Sequence, residues 1–303
     1  MDAHVIDDLY RELTHTTGIA TPAREPLRIW TLSGVERLHP EGAGTVIFKY
    51  AAEPFTREDQ ALRLAADHKV PVPRLHASAL RHGVLGMIME DLGTPLRDAT
   101  IRDGAAAAAR LHAAGEVAGL DTLDEQRLAA LPEQALQRLT TLQRSGRWTG
   151  VDDLADILRD LSGCASKRAT GAGLVPFGFC HSEFHPTSLH IGEDGWRLLD
   201  FARAFNGPGL LDLASWHGTI SDPDGPRLRE LLDSYAGAGG HRQVLAVRGG
   251  LPAERWALGW HRVWVVAWFL DQSVCWINDP GTDPVYITAV RRHLREAATF
   301  LAP

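Results

Sequence analysis

The sequence pattern changes near residue 92, and this change limits the possible folds more than any other feature. Before it, short runs of β-branched and aromatic residues predict strands, among them LRIWTL, TVIFKY and VLGMIMED. The segment SGVE, directly after LRIWTL, predicts a turn. We place Lys49 at the end of the third strand. Apolar spacing predicts two helices in this part, over residues 3–16 and in TREDQALRLAADH, where Thr56 is the expected N-cap.

From about residue 103 the apolar spacing is helical almost to the end of the sequence. Residues 105–112, 121–143 and 151–163 predict helices, and LVPFGFC and WRLLDF predict a β-ribbon that interrupts them. This order predicts an α+β fold in two lobes. The N-terminal lobe, residues 1–92, has a leading helix, a β-sheet and one long helix, and residues 93–303 form a helical C-terminal lobe.

Composition narrows the classes of partner. No segment approaches the roughly 18 apolar residues of a membrane span, and the acidic, amphipathic MDAHVIDDLYREL is unlike a signal peptide. The three cysteines have no paired spacing, which predicts reduced thiols and a cytoplasmic location. A net charge of -7 argues against a protein that binds nucleic-acid phosphates. We therefore expect a monomer or homodimer that acts on a small molecule and binds neither nucleic acid nor membranes.

The segment FCHSEFHPTSLHI, residues 179–191, concentrates ionisable groups and raises two interpretations. One is a zinc site built from His181, Glu183, His185 and His190. In a zinc-protease helix, however, the glutamate directly follows the first of two histidines four residues apart. Here the glutamate comes two residues after His181, and Pro186 follows His185 at once, which disfavours a helical face.

The other interpretation is phosphoryl transfer of the kinase type. No Walker-type GxxxxGK[ST] and no GxGxxG after a strand is present. Kinase chemistry needs a strand lysine, a helix carboxylate that orients it, a loop carboxylate near the attacking hydroxyl, and an acid that holds magnesium. The sequence offers these in order as Lys49, Glu58, Glu183 and Asp200. Lys49 has added weight because only three of the 31 basic residues are lysines.

With these residues in order, the sequence resembles the aminoglycoside phosphotransferase and choline kinase-like family, whose fold is related to the protein kinases. The family loop reads roughly His-Gly-Asp-x-His-Pro-x-Asn, followed by an apolar strand, Asp-Phe and later Asp-Leu-Ala. Here these segments are HSEFHPTS from His181, LLDFARA with Asp200, and LLDLASW with Asp212. VIFKY, REDQALRLAADHKVPVPRL, MIMEDLG and ARLHAAG extend the resemblance over about residues 27–275. It implies a bilobal protein-kinase-like fold.

The resemblance also implies cofactors and roles for single residues. The expected cofactors are ATP or GTP with Mg²⁺. The linker at residues 89–92 would present backbone groups to the adenine ring, and the implied nucleotide-binding residues are Lys49, Glu58, Glu90, Leu92 and Ser33. Glu183 falls at the catalytic carboxylate, Asp200 at the magnesium ligand, and Asp212 and His181 at positions that support the loop.

Two residues depart from the family pattern at positions that the family uses for catalysis and for magnesium binding. Glu183 replaces the catalytic aspartate, and Ser188 replaces the asparagine that helps to hold magnesium. Glutamate is one methylene longer, and a hydroxyl is a weaker magnesium ligand than an amide oxygen. The sequence therefore fits an active small-molecule kinase, with Glu183, Asp200 and Ser188 catalytic and Asp200 and Ser188 on the metal. It also fits a kinase-like nucleotide-binding protein with altered or no transfer, which recognises or modifies a peptide or an intermediate in natural-product biosynthesis.

The acceptor is expected near the catalytic loop and the last helices. Tryptophans recur every fourth residue from Trp256 to Trp268, and their interpretation is either core packing or an aromatic wall. Carboxylates near them would suit a polycation. The candidate substrate-binding residues are His185, Trp264, Trp268 and Asp271. An aminoglycoside-like, nucleoside or amino-alcohol acceptor all remain open, as does a peptide hydroxyl.

Overall fold

The computed structural model describes residues 1–20, 22–42, 44–218 and 221–301. The chain divides into two compact units, the first formed by Met1–Ala99 with Thr187–Ala204, and the second by Thr100–Pro186 with Phe205–Pro303. The boundary that the sequence suggested after residue 92 lies inside the first unit. This unit also takes in Thr187–Ala204, which comprises the last two residues of the predicted catalytic loop HSEFHPTS and the hairpin after it, and which sequence order had assigned to the C-terminal lobe.

The described strands and helices follow the predicted α+β order, so this part of the prediction is confirmed. The strands are β1 (Ala23–Ile29), β2 (Ser33–His39), β3 (Val46–Ala52), β4 (Leu75–Arg81), β5 (Val84–Glu90), β6 (Phe177–Cys180), β7 (Leu189–Gly192), β8 (Gly195–Leu198) and β9 (Phe205–Pro208). The α-helices are α1 (Ala3–Thr17), α2 (Glu58–Asp67), α3 (Ile101–His112), α4 (Glu125–Arg144), α5 (Asp152–Ala169), α6 (Leu210–Ser215), α7 (Gly225–Gly237), α8 (Ala253–Cys275) and α9 (Asp283–Leu301).

The first unit is built on an antiparallel five-stranded sheet with the order β1-β2-β3-β5-β4. Strand β5, VLGMIME, is buried as predicted, with only Glu90 part-exposed, and the predicted strand residue Asp91 lies just beyond its end. Helix α1 packs close to it, because a Cβ added at Gly86 would lie 3.0 Å from the Leu13 side chain. Burying Leu9 and Leu13 of this helix stabilises the contact by about 1.5–3 kcal/mol each.

Three local predictions in this unit are wrong. Lys49 is the fourth residue of β3 and does not end it. Helix α2 begins at Glu58 with Arg57 as its N-cap, because the hydroxyl of Thr56 donates to Glu53 instead (2.6 Å). SGVE starts strand β2 and is not a turn. The alternation of buried and exposed residues in this strand is not visible in the sequence, because the charged Glu36 lies on the buried face, where it binds Arg24.

The second unit is mainly helical and contains the antiparallel pair β6–β9. Helix α8 passes through its core, where Trp256 and Trp260 are fully buried and both indole N–H groups donate to the carbonyl oxygen of Arg168 (2.6 and 3.1 Å). Trp264 and Trp268 are only half-buried. The core interpretation therefore holds for the first two tryptophans of the series and only partly for the last two.

The three cysteines are free thiols, and among the described residues no helix is long and apolar enough to cross a membrane.

Candidate active site

The first unit contains a three-residue charged cluster around Lys49. The Nζ atom of Lys49 lies 2.7 Å from the Glu58 carboxylate and 2.7 Å from Oδ1 of Asp200. A strand, a helix N-terminus and a loop supply these groups, since Lys49 is in β3, Glu58 begins α2, and Asp200 follows β8. The structure thus brings together three of the four residues that the kinase interpretation selected.

Electrostatics keep the lysine charged. Burial favours the neutral amine, but the negative charges of Glu58 and Asp200 outweigh it and raise the pKa of Lys49 above its ordinary value. Glu58 is almost fully buried, whereas the Asp200 side chain is 42 % exposed. Asp200 has a left-handed backbone (φ +66°), which is uncommon for a residue other than glycine.

The hairpin of β7 and β8 sets Ser188 beside Asp200. Leu189 pairs with Leu198 at the open end of the hairpin, and the N–H of Leu199 donates to the carbonyl oxygen of Ser188 (2.8 Å). The two candidate metal ligands, Ser188 and Asp200, therefore both lie just beyond the open end of this short ladder. Both offer oxygen atoms, the donor type that Mg²⁺ prefers.

The predicted linker is held by side chains rather than left open. The carboxylate of Glu90 accepts a hydrogen bond from the N–H of Arg74 (3.0 Å). Its neighbour Asp91, which the sequence reasoning did not select, binds Arg37 (2.6 Å). Burial alone would raise the pKa of Asp91. The hydrogen bonds that its carboxylate accepts, first of all the one from Arg37, have the larger effect, so the pKa lies below its ordinary value. Leu92 is half-buried beside them.

Ser33 begins strand β2 and is half-buried. Its carbonyl oxygen accepts the N–H of Trp30 (2.7 Å), which closes the β1–β2 hairpin. This bond involves the backbone of Ser33, and the proposed contact of Ser33 with a nucleotide stays a prediction.

In the second unit, Asp212 holds the start of the predicted catalytic loop, which begins at His181. Its fully buried carboxylate accepts the backbone N–H groups of His181 (2.7 Å) and Ser182 (2.8 Å). The Nε2 atom of His112 lies 3.3 Å from Oδ2 of the same carboxylate. Ser182 has a left-handed backbone with φ +79°. The loop is thus fixed by charge-assisted bonds directly before Glu183.

His112 and Ser182 were not selected from the sequence. The segment ARLHAAG had been recognised, but nothing in it showed that His112 would meet an aspartate 100 residues later. The contact needs close packing, because a Cβ added at Gly209 would lie 2.7 Å from the His112 ring. A left-handed conformation at Ser182 could be suspected only from the glycine that the family has there.

Phe184 anchors the loop between two candidate residues. Its ring is fully buried against Trp216 (5.3 Å between centroids), and its carbonyl oxygen accepts the hydroxyl of Ser215 (2.6 Å). Glu183 and His185, on either side of it, are half-buried. The alternation fits a loop that buries one side chain and leaves its neighbours accessible for chemistry.

The histidine-rich loop does not supply the zinc site that its residues suggested. Among the described residues, the one group with metal-ligand spacing is His112, Cys180 and Asp212, which includes none of His181, Glu183, His185 and His190. Burial, with the charge of Asp212, holds the pKa of the Cys180 thiol well above its usual range. The thiol donates to the carbonyl oxygen of Gly207 (3.3 Å), and His112 contacts Asp212, so these three side chains take part in a buried hydrogen-bond network.

The remaining substrate candidates lie on α8. The ring of Trp264 stacks on Phe205, with 4.9 Å between centroids, and Trp268 packs against Trp276 at 5.7 Å. The carboxylate of Asp271 is 38 % exposed and forms a surface ion pair with Arg138, whose Nε lies 2.7 Å from it.

Comparison with known proteins gives these residues a context. The model of the phosphotransferase enzyme family matches residues 40–247, a range that contains Lys49, Glu58, Glu183, Asp200 and Asp212. The chain belongs to this family. No curated protein matches the chain.

Solved structures with the same fold span nearly the whole chain. A choline/ethanolamine kinase family protein from Mesorhizobium loti is 18% identical with a TM-score of 0.68, covering 98% of this chain and 95% of that one. Choline kinase LicA from Streptococcus pneumoniae is 13% identical with a TM-score of 0.66, covering 98% and 100%. An amicoumacin kinase in complex with AMP-PNP, Ca²⁺ and Ami is 11% identical with a TM-score of 0.64, covering 97% and 93%. The predicted kinase-like fold is confirmed.

Proposed function

We propose that the protein transfers the γ-phosphoryl group of ATP or GTP to a hydroxyl group of a small molecule. The observation that carries this proposal is the cluster of Lys49 between Glu58 and Asp200, both at 2.7 Å. A permanently charged ammonium on a rigid strand can bind phosphate oxygens, and the buried Glu58 fixes its direction. Phosphoryl transfer depends mainly on such positioning and charge.

Asp200 and Ser188 would hold the magnesium ion. Their oxygen atoms suit a hard cation, and the exposed fraction of Asp200 leaves its carboxylate accessible. When bound, the ion would offset negative charge on the phosphate oxygens. The same carboxylate orients Lys49, so loss of Asp200 would weaken both the metal site and the phosphate site.

Glu183 would accept the proton of the acceptor hydroxyl or orient that hydroxyl. Its backbone directly follows two N–H groups that the buried Asp212 fixes, so its Cα position is tightly set. The extra methylene of glutamate, relative to the family aspartate, then has to be matched by the acceptor. This supports an acceptor specific to this protein.

Calorimetric titration of ATP and GTP, with and without Mg²⁺, tests the nucleotide site. We expect magnesium-dependent binding in the micromolar range for at least one nucleotide, and its loss in Asp200→Ala. Asp156→Ala is the matched control, since Asp156 is an exposed carboxylate in α5 of the second unit. Absence of binding by both nucleotides would refute the proposal.

A second candidate function is nucleotide binding without small-molecule transfer. The double replacement at Glu183 and Ser188 favours it, because both depart from the family at the reacting groups. Magnesium-dependent nucleotide binding without ADP formation, for every hydroxyl acceptor supplied, would support this alternative and refute the transferase.

A further inference from the structure

The predicted linker of the first unit is held by one carboxylate. Asp91 lies in this linker, and its side chain is only 5 % exposed. It accepts hydrogen bonds from Nε of Arg37 (2.6 Å), the hydroxyl of Thr45 (2.7 Å) and the N–H of Gly93 (2.9 Å). Three donors of the protein itself therefore fix this carboxylate, and one of them is charged. Asp91 and these three donors are the linker clamp.

Two bonds of the linker clamp join the linker to other parts of the sheet. Strand β3 lies between β2, which contains Arg37, and β5, which ends directly before Asp91. The bond from Arg37 therefore connects segments on either side of β3, and Thr45 directly precedes the first residue of that strand. The linker is thus fixed relative to the strand that carries Lys49.

The linker clamp shares a face of the sheet with the proposed phosphate-binding lysine. Arg37 pairs with Ile47 and Val35 pairs with Lys49. Paired residues, and residues two apart on one strand, point to the same face. Arg37 therefore lies on the face of Lys49, about 7 Å along the strand direction. A nucleotide whose phosphates contact Lys49 can extend along this face toward the linker.

The third bond of the linker clamp fixes the centre of the linker. The carboxylate of Asp91 accepts the N–H of Gly93, two residues later, so Leu92 is the central residue of a closed turn. Gly93 has φ +69°, a conformation that glycine adopts without strain. Among the described residues, the backbone N–H and C=O groups of Leu92 have no hydrogen-bond partner. A fixed turn with an open donor and an open acceptor at its centre suits hydrogen bonding to a ligand.

A rigid donor and acceptor distinguish the two purine bases. At position 6, adenine carries an amino donor, whereas guanine carries a carbonyl acceptor. A linker whose peptide groups cannot rotate pairs with one of these patterns and leaves the other with unpaired polar groups, which lowers affinity. A linker free to rotate would pair with both.

From these contacts we infer that the nucleotide site selects one of the two purine bases, and that Asp91 is the positioning residue that enforces this choice. Asp91 acts through the backbone of Leu92 and does not itself touch the nucleotide. Arg37 and Thr45 contribute by holding the Asp91 carboxylate in place. This inference rests on the proposed nucleotide-dependent transfer and adds the base specificity of the same site.

Calorimetric titration of the full chain with ATP and with GTP, each with Mg²⁺, tests the inference. The measured quantity is the ratio of the two affinities. We expect the unmodified protein to prefer one nucleotide by at least about tenfold. Asp91→Asn keeps the size of the side chain but removes its charge, so the preferred nucleotide should bind about tenfold more weakly and the ratio should fall below about threefold.

Two milder changes and one control separate positioning from general damage to the fold. Arg37→Gln should lower the ratio as Asp91→Asn does. Thr45→Val removes one neutral donor and should lower the ratio about threefold, whereas Thr45→Ser keeps the hydroxyl and should leave the ratio unchanged. Arg81→Gln is the matched control, because Arg81 forms an exposed ion pair with Glu12 at the edge strand β4 of the same sheet. If Asp91→Asn does not fold, the two Thr45 variants decide the test.

Three outcomes would overturn the inference: a ratio below about threefold in the unmodified protein, an equal loss of both affinities in Asp91→Asn, or an unchanged ratio in Arg37→Gln and Thr45→Val. A purely structural role for Asp91 predicts the second outcome, since it lowers stability without changing the choice of base. In each of these cases magnesium-dependent binding of a nucleotide would leave the proposed function standing. If neither nucleotide binds to the unmodified protein, the proposed function itself fails.

Discussion

Ser182 provides the sharpest test of how the catalytic loop is held. It has φ +79°, and its N–H is tied to Oδ1 of Asp212 at 2.8 Å, so the backbone cannot rotate away without breaking a buried bond. Its Oγ is buried and has no hydrogen-bond partner among the described residues. Ser182→Gly removes both the left-handed strain and this buried hydroxyl.

The expected gain can be separated into two contributions. A left-handed conformation costs a residue with a Cβ about 1–2 kcal/mol, and the greater freedom of unfolded glycine offsets about 0.5–1 kcal/mol of the relief. A buried unsatisfied hydroxyl costs a further 1–3 kcal/mol, roughly. Ser182→Ala removes only the hydroxyl. We therefore expect stability to rise from serine to alanine to glycine, with about 1 kcal/mol between the last two.

Scanning calorimetry and urea unfolding measure this series. A difference of about 1 kcal/mol corresponds to a rise in Tm of about 2 °C for a domain of this size. Ser166→Gly is the matched control, since Ser166 lies in helix α5, where glycine should lower stability. The reasoning is refuted if Ser182→Gly is no more stable than Ser182→Ala.

Three further predictions concern the loop, its carboxylate and a buried histidine. Asp212→Ala leaves two buried N–H groups without their acceptor, so we expect a loss on the order of 3 kcal/mol in urea unfolding; a loss below 1 kcal/mol would contradict the bracing role. Glu183→Asp withdraws the carboxylate from a fixed backbone, so kcat should fall about 10²-fold with unchanged nucleotide affinity, and a higher kcat would contradict this. Burial, assisted by the charge of Arg262, lowers the pKa of His293 to about 4, so the unfolded chain binds this proton first. Stability should therefore drop by about 3 kcal/mol between pH 6.5 and pH 4, and His293→Gln should reduce that slope; an equal slope would contradict it.

Much of the site was predictable because its chemistry depends on residue type and order. Lys49, Glu58, Glu183 and Asp200 occur in the order that kinase chemistry needs. In the structure, the carboxylates of Glu58 and Asp200 each lie 2.7 Å from Nζ of Lys49. A strand-rich first third and a helical remainder were equally visible, because periodicities of two and 3.6 residues are local properties.

Some local details failed because a neighbour in space outweighed local preference. Thr56 is a good N-cap type, but a hydrogen bond to Glu53 uses its hydroxyl. The segment SGVE predicts a turn but starts strand β2, because Arg24 offsets the cost of placing Glu36 on the buried face of the strand. Pairing of this kind is invisible in a one-dimensional pattern.

The sequence by itself determined the fold class and the family, since both rest on which residues occur and in what order. Only the tertiary structure decided that His112 meets Asp212 and that Ser182 is strained. It also decided that Asp271 is paired with Arg138, 133 residues away. Such contacts depend on packing between segments far apart in the chain, and no local preference encodes them. For the same reason, the sequence could not show that Trp256 and Trp260 lie in the core whereas Trp264 and Trp268, on the same continuous helix, are part-exposed.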